Sequence, residues 1–302
     1  MQSRLFHRLS TVRRTTSRLA NLAALASLVC SLFSFPSQTI AQPKSAVTLA
    51  PYFIAVAVDS DGTIYLADRN LPGIWKHQDG KTEIYHRASK KYRTPLNAIR
   101  CLAIDNNGNL LAGDSATREV YRFVDKKPQP LTGRAIGMPM GIAVNSQGDI
   151  FVTDLEWGKV MRIDVKKKTA IEVAKVPAPV GICVGPNDHL WVVSRSAQGQ
   201  IVRIHTDGSV HRPVTGRPFK FPHNVTVSEN GTLRVVDGYS RKIWKVVAGN
   251  APVEWVTNDA FRNPVDIKAY GAAWLVVDPR AQAMFKIDAD GKSTATALPT
   301  SY

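Results

Sequence analysis

From residue 53 onward the apolar positions come in short runs, each broken by Gly, Pro, Asn or Asp. Runs of this kind, rich in Val and Ile and without helical spacing, predict strands. Residues 139–163 show the unit most plainly. Gly141-Ile-Ala-Val144 reads as a small apolar strand, Asn145-Ser-Gln-Gly148 as a tight turn, Ile150-Phe-Val-Thr153 as a second strand closed by Asp154, and Val160-Met-Arg-Ile163 as a third. Glycine at the turn supplies the left-handed backbone that a tight turn requires.

The unit recurs six times. Turn and strand end stand six residues apart in Gly62/Asp68, Gly108/Asp114, Gly148/Asp154, Asp188/Ser194, Gly231/Asp237 and Ala272/Asp278, and the turns follow one another at intervals of 46, 40, 40, 43 and 41 residues. A period near forty residues with three or four strands per unit marks a β-propeller blade. A second column agrees. The third strands carry two apolar residues and then Lys76, Arg122, Arg162, Arg203, Lys245 or Lys286. Adjacent apolar residues mean that both strand faces are covered, as between packed blades. The basic column is therefore expected to be structural, solvated at a rim or paired with the Asp column. Weaker fourth strands read at 82–86, 170–174, 253–256 and 293–297. The expected fold class is all-β: a six-bladed β-propeller over 53–298 with about four antiparallel strands per blade. Residues 42–52 would be a linker, in which 45–49 could close the last blade, and 299–302 a tail.

The stretch Gly-Ile-Ala-Val-x-x-x-Gly-x-Ile-x-Val-x-Asp, kept best at 141–154, resembles the NHL-repeat family and, more widely, the six-bladed propellers that include gluconolactonase/regucalcin-like and paraoxonase-like enzymes. The resemblance covers 53–298 and speaks for fold more than activity, since such propellers host binding modules, lactonases, lyases and scaffolds. It implies that the first strand of each blade lines a central channel, with ligands at the face where those strands begin. Aligned on Gly141, the channel column reads Ala55, Cys101, Gly141, Gly181, Asn224 and Asp266. In the lactonase-like relatives this column supplies oxygen ligands for a divalent cation, so Asn224 and Asp266 become the candidate metal ligands and calcium the candidate cofactor, a hard cation that takes oxygen donors. The Glu that those enzymes bring from another blade has no counterpart near Ala55.

One position earlier the column reads Ile54, Arg100, Met140, Val180, His223 and Val265. Pro222-His223 resembles the amidating lyases of NHL type, in which several blades each give a zinc-binding His; a single such His is present, too few for a zinc site. His223 is the candidate general base, because imidazole titrates near neutral pH. Loops at the same face bring Arg69, Trp157, Arg195, Tyr239 and Arg280, which with Arg100 form the candidate ligand-binding set. Arginine gives bidentate contacts to anions, and Trp and Tyr give stacking surfaces for sugars.

Charge and the N-terminus change the picture of where this happens. The chain carries a formal net charge of +15. Residues 1–41 begin with Arg4, Arg8, Arg13, Arg14 and Arg18, continue through an apolar run at 19–35 and end on Thr39-Ile-Ala41, the pattern of a secretory signal peptide cleaved after Ala41. Without those five arginines the mature charge is 15 − 5 = +10. An exported or periplasmic basic protein has anionic neighbours as expected partners; nucleic acid is not one of them, and the membrane is met only through the cleaved signal. Cys101 and Cys183 lie in strands of different repeats and are expected to stay unpaired. The expected function is a monomeric, exported binding module for an anionic or carbohydrate partner at the loop-rich channel mouth. The alternative is a metal-dependent lactonase or esterase of gluconolactonase type, with Asn224 and Asp266 on the metal and His223 as base.

Overall fold

The computed structural model describes residues 49–299. The signal segment 1–41 and the candidate closing residues 45–48 lie outside the described residues. Within them the chain forms twenty-four strands in six four-stranded antiparallel sheets and no α-helix. Strands β1–β4 occupy 53–87, β5–β8 99–130, β9–β12 139–175, β13–β16 179–211, β17–β20 222–257 and β21–β24 266–297. Each sheet takes its strands in chain order from one repeat. Innermost are β1 (Phe53–Val58), β5 (Ile99–Ile104), β9 (Pro139–Val144), β13 (Pro179–Val184), β17 (Pro222–Val227) and β21 (Asp266–Tyr270). Each lies beside the innermost strand of the next blade, and β21 lies beside β1, so the ring is closed. The chain is a six-bladed β-propeller.

Six apolar clusters fill the gaps between adjacent blades, one per gap. This arrangement explains the unbroken apolar runs: a blade strand packs on both faces, so it cannot alternate. At the junction of last and first blade, Phe53, Leu66 and Trp75 meet Leu275, Val277 and Met284. The sixth sheet is complete with β24 (Ser293–Ala297) at its edge, so the ring closes by packing rather than by a strand shared between the two ends of the described chain.

Two fourth strands escaped the sequence pattern. β8 (Lys127–Pro130) contains two prolines, which suit an edge and read as loop, and β16 (Val210–His211) is two exposed residues long. Where the basic column is ion-paired, its partners differ from those expected. Arg122 pairs with Asp105 at 2.8 Å and Arg162 with Asp149 at 3.1 Å. Both acids belong to the turns between first and second strands, at the blade end opposite the Asp column. The antiparallel register decides this: Arg122 sits opposite Leu111, near the start of the second strand, whereas Asp114 ends it.

Close approach of the inner strands demands glycine at two channel positions, Gly141, where a Cβ would run into the Val180 carbonyl of the next blade, and Gly181. A Cβ on Gly181 would run into both the backbone and the side chain of Asn224 on the next blade. Gly181→Ala is therefore expected to cost about 2–3 kcal/mol through overpacking, read as a lowered thermal midpoint.

Candidate functional site

The mouth is organised by the buried Asp column. Asp68, Asp114, Asp154, Asp237 and Asp278 each end a second strand and are buried. Their carboxylates accept backbone N–H bonds from the loop entering the same blade. Asp154 takes Gly137 (2.6 Å) and Met138 (3.1 Å), Asp237 takes Lys220 and Phe221 (both 2.8 Å), and Asp278 takes Arg262 (2.7 Å) and Asn263 (2.8 Å). The same carboxylates also accept N–H groups from the turn that follows, such as Trp157 on Asp154 and Arg280 on Asp278, both at 3.1 Å. Each Asp thus ties an entering loop to an exit turn, and those turns carry the mouth residues. The fourth blade has Ser194 instead, which donates to Pro177 O at 2.6 Å.

A cavity of about 280 Å³ opens at this face. All six members of the column one residue before Gly141 line it: Ile54, Arg100, Met140, Val180, His223 and Val265. That column, rather than the one aligned on Gly141, is the ring contributed by every blade. Arg69 and Arg195 reach in from loops, and Asn224 and Asp266 lie among the lining residues. Trp157, Tyr239 and Arg280 do not line it. Trp157 is 41% exposed, Tyr239 is 62% exposed and stacks on Phe221 with ring centroids 4.4 Å apart, and Arg280 is exposed. Three polar wall residues were not anticipated: Tyr52, Asn263 and Lys268. Lys268 had a sequence signal, because it follows Asp266 by two residues on β21, where the corresponding residues of the first three blades are alanine.

The cationic side chains share no carboxylate. Among the described residues, Arg69, Arg100, Arg195 and Lys268 make no ion pair within 4 Å. Arg100 donates from Nε to Ser115 Oγ at 3.1 Å, and burial together with the neighbouring Arg69 charge lowers its pKa. Arg195 donates from Nε to Pro222 O and from Nη2 to His223 Nδ1, both at 2.9 Å, and its guanidinium sits 4.0 Å over the Phe221 ring. Burial pushes its pKa down to about 10.

This geometry reassigns His223. A guanidinium only donates, so Nδ1 accepts and the proton sits on Nε2. Burial and the adjacent Arg195 charge lower the imidazole pKa to about 3. The ring is neutral with its lone pair engaged, which is a donor's state and not that of the expected general base. Nε2 is buried without a partner, facing the space that Gly238 leaves beside Asn263.

The expected metal pair is likewise engaged elsewhere. Asn224 Nδ2 donates to Asp266 Oδ1, and Asn224 Oδ1 accepts Val225 N–H at 2.8 Å. Asp266 Oδ1 also takes Ile267 N–H, and Oδ2 takes Val56 N–H from the first blade, both at 2.8 Å. These are inner-edge amides with no strand partner on the channel side. The pair is a clasp across blades five, six and one. Calcium asks for six to eight oxygen ligands, and among the described residues no group of three His, Cys, Asp or Glu side chains gathers for any metal. One carboxylate and one amide, both spoken for, do not fit it. Cys101 and Cys183 are unpaired thiols whose burial pushes each pKa up to about 12.

Comparison with known proteins agrees on architecture. No family model matches the chain. An uncharacterized protein of Sulfolobus acidocaldarius is 32% identical over 75 residues, which is 22% of this chain and 27% of that protein, so the match spans about a quarter of that relative's length. Among solved structures, virginiamycin B lyase from Staphylococcus aureus superposes with a TM-score of 0.63 at 19% identity, covering 83% of this chain and 87% of the lyase. A gluconolactonase from Xanthomonas campestris gives 0.63 at 16% identity, with 80% and 84% covered. A chain of the nidogen/laminin complex gives 0.65 at 17%, with 76% and 93% covered. At these identities the likeness is one of fold, shared by enzymes and a binding module alike.

Proposed function

We propose that this propeller is an exported binding module that captures an anionic ligand at its channel mouth. The observation that carries the reading is the set Arg69, Arg100 and Arg195 around one cavity with no acidic partner, while Asp266, the carboxylate in the wall, is committed to the inter-blade clasp. Half-buried guanidinium groups without counter-charges are costly, as the lowered pKa values of Arg100 and Arg195 express. An incoming anion offsets that cost and gains charge-assisted hydrogen bonds. The basic and apolar start over 1–41 supports export. The metal-dependent lactonase reading has fold likeness on its side and no ligand set to match.

Phosphate, sulfate and simple carboxylates titrated at low ionic strength should raise the melting temperature by mass action, and salt should erode the effect. Arg100→Met should weaken binding of these anions about tenfold, the loss of one charge-assisted contact. A melting temperature indifferent to every anion would overturn the reading.

A further inference from the structure

Resting on that anion site, we infer that its ligand is a small dianion with an apolar spacer, a dicarboxylate lying across the channel with one carboxylate at each of two cationic poles. The placement of charge around the ring carries this. Arg69 follows the second strand of blade one, and Arg100 lies on β5 of blade two. They are close enough for the Arg69 charge to depress the Arg100 pKa. Arg195 follows the second strand of blade four and reaches blade five, where it holds Pro222 O and His223. In a closed ring of six blades, the junction of blades one and two lies opposite the junction of four and five. The three arginines therefore form two groups facing each other across the mouth, with Lys268 between them on β21 of blade six.

Between the poles the column one residue before Gly141 is apolar on both flanks, while Asn263, Asp266 and Lys268 also line the cavity on the blade-six side. Met140 and Val180 come from blades three and four, Val265 and Ile54 from blades six and one. A single compact anion satisfies one pole and leaves the other unpaired. It also gives up hydration on the side that meets Ile54, Met140, Val180 and Val265. A dicarboxylate meets both poles and lays methylenes or a ring on the apolar flanks. The cavity, about 280 Å³, has the capacity of a small organic acid, at the lower edge of ligand pockets. His223, held at Nδ1 by Arg195 Nη2 at 2.9 Å, completes the wall at the Arg195 pole.

The experiment is a calorimetric titration of the purified chain with matched probes: succinate, glutarate and adipate against butyrate, valerate and hexanoate, with inorganic phosphate alongside. At least one diacid should bind about tenfold or more tighter than the monoacid of equal length, the value of a second arginine–carboxylate contact. Arg69→Met and Arg195→Met, on opposite poles, should each erase that advantage, lowering diacid affinity about tenfold more than monoacid affinity. Arg195 also supports Pro222, so Arg69→Met keeps the test open should Arg195→Met fail to fold. Equal affinity for diacids and monoacids, or phosphate binding tighter than every diacid, would overturn the two-pole inference while the anion site stood. No binding by any probe would remove both.

Discussion

Asp237→Ala should lower stability by about 4 kcal/mol and the melting temperature by about 10 °C, given that buried donors left without acceptors cost about 1–3 kcal/mol each and a domain of this size loses a few degrees per kcal/mol. The carboxylate is fully buried and accepts Lys220 N–H, Phe221 N–H and Ser240 N–H together with the Ser240 hydroxyl. An alanine leaves these donors facing a void. Water entering from the mouth and relaxation of the loop hold the total below the sum of the separate penalties. The damage should extend to the site. Phe221 is one of the residues tied down by Asp237, and its ring carries both the Arg195 guanidinium and the Tyr239 ring. Anion affinity should therefore fall even at temperatures where Asp237→Ala remains folded. Blade four supplies the internal control, since Ser194 there makes a weaker, neutral clamp, donating to Pro177 O and accepting Ser196 N–H, so Ser194→Ala should cost about 1–2 kcal/mol. A melting curve for Asp237→Ala within 2 °C of wild type would sink the assignment of the Asp column as the mouth's clamp.

The fold was legible because the blade is a repeat whose constraints are local. Asp154 must end its strand, Gly148 must turn with φ of 84°, and Ile142, Ile150 and Val152 must fill an inter-blade gap. All of these are written within a few residues of one another. The site was legible in part. Arg69, Arg100, Arg195, His223, Asn224 and Asp266 do meet in one cavity, because the propeller brings the same position of every repeat to one ring. Their chemistry was not legible. That Arg195 of blade four would donate to His223 of blade five, or that Asp266 would accept the amide of Val56, 210 residues away, depends on the closed ring. Side-chain reach across blades leaves no local trace in a sequence. Arg69 and Arg195 stand one residue after the second-strand ends Asp68 and Ser194 and line the cavity, whereas Tyr239 and Arg280 stand two residues and Trp157 three residues after Asp237, Asp278 and Asp154 and do not. The offset within the turn, which the repeat leaves free, decides which side chains reach the site.

Acidification should expose the state of His223. Between pH 6.5 and about 3, wild type should lose about 4 kcal/mol of stability relative to His223→Asn, at a slope near 1.4 kcal/mol per pH unit. The folded pKa of about 3 lies below the ordinary 6.5, so the unfolded chain takes up the proton first. The neutral ring's contribution is intact above pH 6.5, drains away as pH falls through that window, and levels off once both states are protonated. Asn is the informative replacement because its side-chain oxygen can still accept from Arg195 while nothing titrates. Asp266 works in the opposite sense: burial raises its pKa, so its protonation as pH falls relieves the folded state. It is present in both chains and cancels in their difference, as does His86. Burial is the larger cause of the His223 shift and the Arg195 charge the second. Repeating the comparison in an Arg195→Met background should therefore narrow the window without closing it. A flat difference curve in the parent background would mean that the imidazole is solvated and free to act as a base, which would return His223 to catalysis.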